Sequence, residues 1–443
     1  MTIQDMTLCL FMSPIPYHRG GWRMPGNRSG EVTSLSFVAD IALAAERAGL
    51  DAIFLGDRLT VEPAEATDPY ISKFEPVTTL SALAAVTKHI GLAGTISTSF
   101  TEPFNVARYL ASLDHLSGGR AAWNIVTSVS GNGNFTQPLG GHSGRYAVAE
   151  EYLEVVTALW DSWADDAIIN DAESGRWGRP ERIHRVDFQG KYFRVAGPLN
   201  TPRPPQGWPV LVQAGSSAEG IEFASKWAEL VFTAQNALED ARRFYQTLKS
   251  SAERRGRAAD HVRVLPGILP IIGETDQAAR EIAAMLAERI DVEAGRQSLS
   301  SFLADVDLSG LALDEPIPTD ILPRPEDVEG GRSRYGLFYA MAHREGYTLR
   351  QLIYERVIAS GHLVVVGTAQ QVADKMEEWF RAGACDGFNI EVSHLGAGLD
   401  ALTDGLIPEL RARGLFRTHY TEGGTLRGNL GLPRPAGRRA SYG

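Results

Sequence analysis

The chain has 443 residues, which allows two or three domains of ordinary size or one α/β barrel enlarged by insertions. Hydrophobic residues make up 44% and charged residues 22%, a composition that excludes a fibrous or disordered chain and is typical of a soluble globular protein. The formal net charge of −11 opposes binding to nucleic acid and to anionic membrane surfaces, so we expect neither as a partner.

Short apolar runs alternate with segments of helical apolar spacing in the N-terminal part of the chain. This alternation predicts four β–α units and a parallel sheet that is buried on both faces. The predicted strands are 8–12, 52–55, 90–96 and 121–126, and the helices that follow them are 32–50, 77–87, 105–116 and 146–163.

Two later segments interrupt this alternation. Residues 164–208 are rich in Asp, Arg, Gly and Pro and predict an insertion, with a β-hairpin at 186–195 around Gln189-Gly190. Pro and Gly recur at 293–347, which predicts a second insertion or a mobile lid. Outside these segments we predict strands at 210–213, 230–233, 262–272 and 387–392 and helices at 218–227, 238–254, 276–289 and 369–382.

Eight strands that alternate with helices favour a (β/α)8 TIM barrel with inserted loops. An open doubly wound sheet rarely needs eight parallel strands in succession. We expect residues 1–416 to form this single barrel. Residues 417–443 form a Gly- and Arg-rich C-terminal tail with five Arg and one Glu, for which disorder and wrapping around a partner subunit are the two alternatives.

The cysteines and the N-terminus indicate the cellular compartment. Cys9 and Cys385 are too few for a disulfide framework or a Cys-ligated metal site, and we expect both to behave as small apolar residues. The N-terminus does not resemble a signal peptide, and no apolar run approaches the roughly 18 residues of a membrane span. These observations predict a cytoplasmic protein.

The ten histidines are scattered, so no metal site is predicted.

Functional residues of a (β/α)8 barrel lie at the C-terminal ends of its strands. The segments after the predicted strands are rich in hydroxyls and amides, and they comprise 13–19, 56–58, 95–98, 124–128, 215–217 and 391–394. Ser216 and Ser217 precede a helix, where free backbone N–H groups favour an anion such as phosphate, with helix capping as the alternative. His142 and Tyr146 start the fourth helix, on the same rim of the predicted barrel.

Several other chemistries lack their sequence patterns. The chain has no Gly-rich nucleotide loop of the familiar types and no Gly-x-Ser-x-Gly nucleophile elbow. No Lys directly follows a predicted strand, which argues against a Schiff-base aldolase.

The ordered motifs together resemble the bacterial luciferase-like flavin monooxygenases. Within them, the chain is similar to the branch of nitrilotriacetate monooxygenase component A, dibenzothiophene-sulfone monooxygenase and long-chain alkane monooxygenase. The stretches that carry the resemblance are DAIFLGD at 51–57, TIST at 95–98, LDHLSGGRAAWNIVTS at 113–128, HSGRY at 142–146, EEYLE at 150–154, GKYF at 190–193, QAGSS at 213–217 and TLRGNLG at 425–431.

The resemblance implies a two-component oxidoreductase that is active in xenobiotic degradation. A separate NAD(P)H-dependent flavin reductase would supply FMN as FMNH2. The enzyme would use O2 to oxygenate a small organic substrate through a C4a-(hydro)peroxyflavin, and it would be a homodimer or homotetramer. Two alternatives stay open: a deazaflavin-dependent hydride-transfer oxidoreductase with the same barrel, and a non-catalytic flavin-binding protein.

The resemblance also assigns roles to individual residues. The residues expected along the flavin ring are Asp57, Thr95, Ser97, Thr98 and Asn124, and those expected at the ribityl phosphate are His142, Tyr146, Ser216 and Ser217. The catalytic candidates are Asn124 and His18. His18 is expected to donate a hydrogen bond beside the substrate or the peroxide, with a surface-loop histidine as the alternative. The nearby Arg19, Arg23 and Arg58 are candidates for binding a carboxylate or for surface salt bridges.

Overall fold

The structure is a computed structural model, and it describes residues 5–61, 74–128, 131–136, 142–328 and 332–437. The strands in these ranges are β1 Thr7–Phe11, β2 Ala52–Leu55, β3 Gly91–Ser97, β4 Ala121–Val126, β5 Ile168–Asp171, β6 Arg176–Gly178, β7 Phe188–Gln189, β8 Arg194–Val195, β9 Val210–Ala214, β10 Leu230–Thr233, β11 Arg263–Ile272, β12 Leu363–Gly367 and β13 Gly387–Glu391.

The helices surround these strands, and a π-helical turn at Ala401–Leu406 joins two of them. They are α1 Leu35–Arg47, α2 Pro76–Val86, α3 Pro103–Leu116, α4 His142–Trp160, α5 Ala218–Trp227, α6 Leu238–Arg254, α7 Asp276–Glu288, α8 Val292–Phe302, α9 Arg332–His343, α10 Leu349–Ile358, α11 Ala369–Arg381, α12 Ala397–Asp400, α13 Ile407–Ala412 and α14 Leu426–Asn429.

Eight of the described strands close into a parallel barrel in the order β1, β2, β3, β4, β9, β10, β11, β13. The ring closes where β13 pairs with β1, from Thr7 opposite Gly387 to Phe11 opposite Glu391. The predicted (β/α)8 barrel is therefore confirmed. The sequence did not predict β12, which lies outside the ring and pairs with the second half of β11.

The strands are apolar throughout because each has one face inside the barrel and one face under the helices. Leu8 and Leu10 of β1 pack outward against the helices, whereas Cys9 belongs to the inner cluster. Both cysteines are buried, and burial raises the pKa of the Cys9 thiol to about 12. As predicted, Cys9 and Cys385 are small buried residues and not reactive thiols.

The two interrupting segments contain regular structure. The predicted hairpin is present as β7 and β8, with Phe188 opposite Val195. The second segment contains α8 and α9 and ends beside α10, and these helices share an apolar core that includes Leu299, Phe338 and Leu352. Its four prolines, at 316, 318, 323 and 325, lie in the connection between α8 and α9.

The described part of the tail is ordered. Up to residue 437 it packs against this chain's own barrel, and residues 438–443 lie outside the described range. Leu426 and Leu430 join the cluster inside the barrel, and a Cβ on Gly91 would lie 2.6 Å from Leu426 Cδ1. The apolar residues of α14 therefore close the N-terminal end of the barrel, and the described tail is not disordered.

Membrane-spanning segments were also sought in the structure. Among the described helices, none is long and apolar enough to cross a membrane.

Candidate active site

Asn124 and Thr95 lie side by side on the inner face of the barrel. They are opposite each other in the β3–β4 pairing, and Asn124 Nδ2 donates to Thr95 Oγ1 across 2.9 Å. Thr95 in turn donates to the carbonyl of Leu55 across 2.9 Å. Asn124 Oδ1 is buried and has no hydrogen-bond partner among the described residues. An unsatisfied buried acceptor costs about 1–3 kcal/mol, so this oxygen is poised to accept a hydrogen bond from a ligand.

The other hydroxyls at the end of β3 are already engaged. Ser97 and Ser128 share a hydrogen bond of 2.6 Å, and Ser97 also accepts the backbone N–H of Ser99. Thr98 donates to the carbonyl of Val126 across 3.2 Å, which is a local structural use of its hydroxyl. Asp57 lies in the loop after β2, half-buried, where its carboxylate accepts the backbone N–H of Arg58. These residues share the rim that the sequence predicted.

Ser217 and Tyr146 meet at the start of α5. Ser217 caps this helix by accepting the backbone N–H of Gly220 across 3.1 Å, as the capping alternative predicts. A Cβ on Gly220 would lie 3.2 Å from both Ser217 Oγ and Tyr146 Oη and 3.5 Å from Gln213 Nε2. Three polar groups thus converge over the first turn. Ser216 is half-buried beside them.

Burial and hydrogen bonding shift the pKa of Tyr146 in opposite directions. Burial raises the pKa of its phenol, while hydrogen bonds with Ser217 and Thr127 lower the pKa to a smaller extent. The phenol therefore stays protonated at neutral pH and can donate. Capping uses a lone pair of Ser217 Oγ and leaves its O–H able to donate as well. His142 begins α4, four residues before the predicted start, and its side chain lies outside what the structure describes.

His18 is buried, with 1% of its surface exposed, so the surface-loop alternative is wrong. Its Nδ1 accepts the backbone N–H of Gly20 across 3.0 Å, which assigns the proton of the neutral ring to Nε2. Burial, with a smaller contribution from His394, lowers the pKa of His18 to about 4. At neutral pH the side chain is an uncharged donor.

The three arginines named from the sequence differ in position. Arg23 is exposed and donates to the carbonyl of Arg289 across 2.8 Å. Arg58 is exposed, and Arg19 is half-buried in the loop after β1. Arg23 and Arg58 are therefore surface residues of the rim.

A second polar cluster at the barrel mouth was missed from the sequence. His362 Nε2 lies 3.2 Å from Glu391 Oε1 and 3.1 Å from Arg334 Nη2. Glu391 belongs to a post-strand segment named above, but His362 precedes β12 and Arg334 is on α9. The only sequence indication for His362 is its place directly before the apolar run Leu363–Gly367.

Comparison with known proteins identifies the family. The sequence model of the luciferase-like monooxygenase family matches residues 11–386 of this chain. The chain belongs to the luciferase-like monooxygenase family. The predicted family and its monooxygenase class are thereby confirmed.

Two relatives and one solved structure show how far the likeness extends. The chain is 43% identical over 441 residues to N-acetyl-S-(2-succino)cysteine monooxygenase of Bacillus subtilis (strain 168), covering 99% of both proteins. It is 42% identical over 437 residues to nitrilotriacetate monooxygenase component A of Aminobacter aminovorans, covering 94% of both. A crystal structure of riboflavin lyase with modified FMN and riboflavin superposes with a TM-score of 0.86 at 29% identity and covers 97% of each chain.

Proposed function

We propose that this protein is the oxygenase component of a two-component monooxygenase that uses FMNH2 and O2 to oxygenate a small organic substrate. A separate NAD(P)H-dependent flavin reductase would supply the FMNH2, and the oxygenase would work as a homodimer or homotetramer. The observation that carries the proposal is the pair of binding positions on one rim, Asn124 Oδ1 inside the barrel and the convergence of Tyr146 and Ser217 at α5.

The residues present fit FMN. Asn124 Oδ1 lacks the donor that an N–H of a flavin ring would provide, and Thr95 holds the amide in place. At the start of α5, the hydroxyls of Tyr146, Ser216 and Ser217 lie beside the positive end of a ten-residue helix, where a phosphate is stabilised. His142 would join them. The likeness to riboflavin lyase, whose structure contains a modified FMN, supports the same ligand.

When bound, reduced FMN supplies the electrons that activate O2, so the chain's own residues bind, orient and exclude water. The interior near this rim is lined by Phe11, Phe54 and Phe232, whose rings pack edge to face with centroids 5.3 and 4.6 Å apart. Such a lining keeps water away from reactive groups. His18 would donate its Nε2–H towards the substrate without changing charge near neutral pH.

The experiment that tests this function supplies every component separately. The purified protein, NADH, FMN and an unrelated flavin reductase are incubated under 18O2 with N-acetyl-S-(2-succino)cysteine or nitrilotriacetate, the substrates in the names of the two relatives. One 18O atom should appear in the product, and omitting the reductase should abolish turnover. Turnover with a reduced deazaflavin in the absence of O2 would instead support hydride transfer. Stoichiometric flavin binding with no turnover of a broad substrate panel would favour the non-catalytic alternative.

A further inference from the structure

The cluster of Arg334, His362 and Glu391 reaches into the mouth of the barrel. A Cβ on Gly267 would lie 2.2 Å from His362 Nδ1, so the imidazole fills the space where a side chain of β11 would be. Glu391 ends β13 opposite Phe11, whose ring belongs to the barrel lining. Burial is nearly complete for Glu391, at 1% exposed, and is high for His362, at 9%.

The net charge of this cluster is positive. Burial raises the pKa of Glu391 well above its ordinary value and keeps the carboxyl protonated. Burial, aided by the Arg334 cation, lowers the pKa of His362 well below its ordinary value and keeps the imidazole neutral. Arg334 therefore carries the only charge of the three.

The partners of Arg334 differ from those of two fully buried arginines, Arg203 and Arg427. Arg203 and Arg427 each pair with a carboxylate, Asp161 and Glu229 respectively. Arg334 makes no ion pair with any described residue, and its one hydrogen-bond partner there is the nitrogen of His362. Glu391 Oε2 is also buried without a hydrogen-bond partner in the described part of the chain. One unbalanced cation and one unused carboxyl oxygen thus lie together at the mouth.

We propose that Arg334, His362 and Glu391 bind a carboxylate group of the substrate. The planar guanidinium fork of Arg334 matches the two oxygens of a carboxylate, and His362 and Glu391 lie directly beside it. One negative charge balances Arg334, whereas a doubly charged phosphate would leave excess charge beside Phe11 and Phe232. This inference rests on the proposed function, since it names the substrate class of the same site.

The test measures equilibrium binding, so it does not depend on turnover. Calorimetry under anaerobic conditions, with FMNH2 present, compares succinate and tricarballylate with succinamide, the neutral analogue of succinate. The variant Arg334→Gln should weaken binding of the carboxylates about 10- to 100-fold and leave succinamide and FMNH2 binding unchanged. Arg334→Lys keeps the charge without the fork and should fall between wild type and Arg334→Gln.

Two further variants complete the test. Glu391→Gln replaces the protonated carboxyl with a neutral group of the same shape, so carboxylate affinity should stay within about threefold of wild type. Arg350→Gln alters an exposed arginine of α10 that pairs with Asp314, and it should leave carboxylate affinity unchanged. The proposal is overturned if wild-type protein binds none of the carboxylates, or if Arg334→Gln weakens succinamide equally. A protein that binds carboxylates through Arg334 but does not react with O2 would overturn the proposed function alone.

Discussion

Gly20 donates its backbone N–H to Nδ1 of His18 across 3.0 Å, so the loop after β1 selects the tautomer of the one histidine predicted to face the substrate. The variant His18→Asn can keep this bond through Asn Oδ1 and loses only the distal N–H. If that N–H acts on the reaction, kcat should fall about 10²-fold with little change in FMNH2 affinity. Equal kcat values for the variant and the wild type would contradict a catalytic role.

The low pKa of His18 predicts a pH dependence of stability. The folded-state pKa of about 4 lies below the ordinary 6.5, so between these values only the unfolded chain takes up the proton. The free energy of unfolding should therefore decrease as pH falls from about 6.5 to about 4, by up to ~3 kcal/mol from this residue. Urea unfolding of His18→Asn should lack that component, whereas His419→Asn, at an exposed histidine, should behave as wild type.

Ser217 is predicted to act on the phosphate of FMN. Ser217→Ala should weaken FMNH2 binding about tenfold, near the low end for a lost charge-assisted hydrogen bond because backbone N–H groups remain. Binding of reduced riboflavin, which lacks the phosphate, should be nearly unchanged. Thr368→Ala removes a comparable cap from α11 and should lower stability by about 1 kcal/mol without affecting either flavin. Equal losses for both flavins would mean that Ser217 only shapes the rim.

Asn124 should be more important for the ligand than for the fold. Asn124→Leu removes an unsatisfied acceptor together with its bond to Thr95, and these effects on the free energy of unfolding oppose each other, so the net change should be within about 1 kcal/mol. FMNH2 affinity should nevertheless fall about 10- to 100-fold, as measured by anaerobic titration. A variant that unfolds readily yet binds FMNH2 as wild type does would reverse this assignment.

Gly267 leaves the space that His362 occupies. Gly267→Ala would put a Cβ 2.2 Å from His362 Nδ1 and force the ring to move, with a loss of about 1–3 kcal/mol in stability. Because Arg334 and Glu391 both contact this ring, carboxylate binding should weaken in the same variant. Gly310→Ala, in a position with nothing within 4 Å, is the matched control and should change neither quantity.

The strands predicted most accurately are those whose short apolar sequence agrees with their burial on both faces in the barrel. β2, β4 and β10 have the predicted bounds because each is a short apolar run buried on both faces. β12 was missed because it contributes no strand to the ring and its residue Val366 is 37% exposed. Because eight other apolar runs already completed the predicted barrel, this Val-rich run was not predicted to be a strand.

Some residues of the candidate site could likewise be predicted from the sequence, and others could not. Asn124 and Thr95 could be predicted because the barrel places post-strand residues on one rim. Arg334 and His362 could not, because Arg334 lies in the insertion at 293–347 and His362 in the link between α10 and β12, whose paths depend on helix packing between α8, α9 and α10. Pairing between side chains far apart in sequence leaves no periodic pattern to detect.

Arg427 anchors the tail beneath the barrel through Glu229, and its side chain is 2% exposed. Arg427→Met would leave Glu229 without its cation and should destabilise the protein by about 3–5 kcal/mol in urea unfolding. The double variant with Glu229→Gln should recover part of this loss. Affinity for FMNH2 should be unchanged in the folded protein because the pair lies at the opposite end of the barrel from the rim.

Leu426 enters the barrel from chain that is made after the last strand. During synthesis, all eight strands leave the ribosome before Leu426, the residue that covers Gly91. Until Leu426 has been made, the interior at the N-terminal end of the barrel stays open to water. The nascent barrel therefore completes its core only after its last strand has been made, and in that interval its apolar interior is available to chaperones.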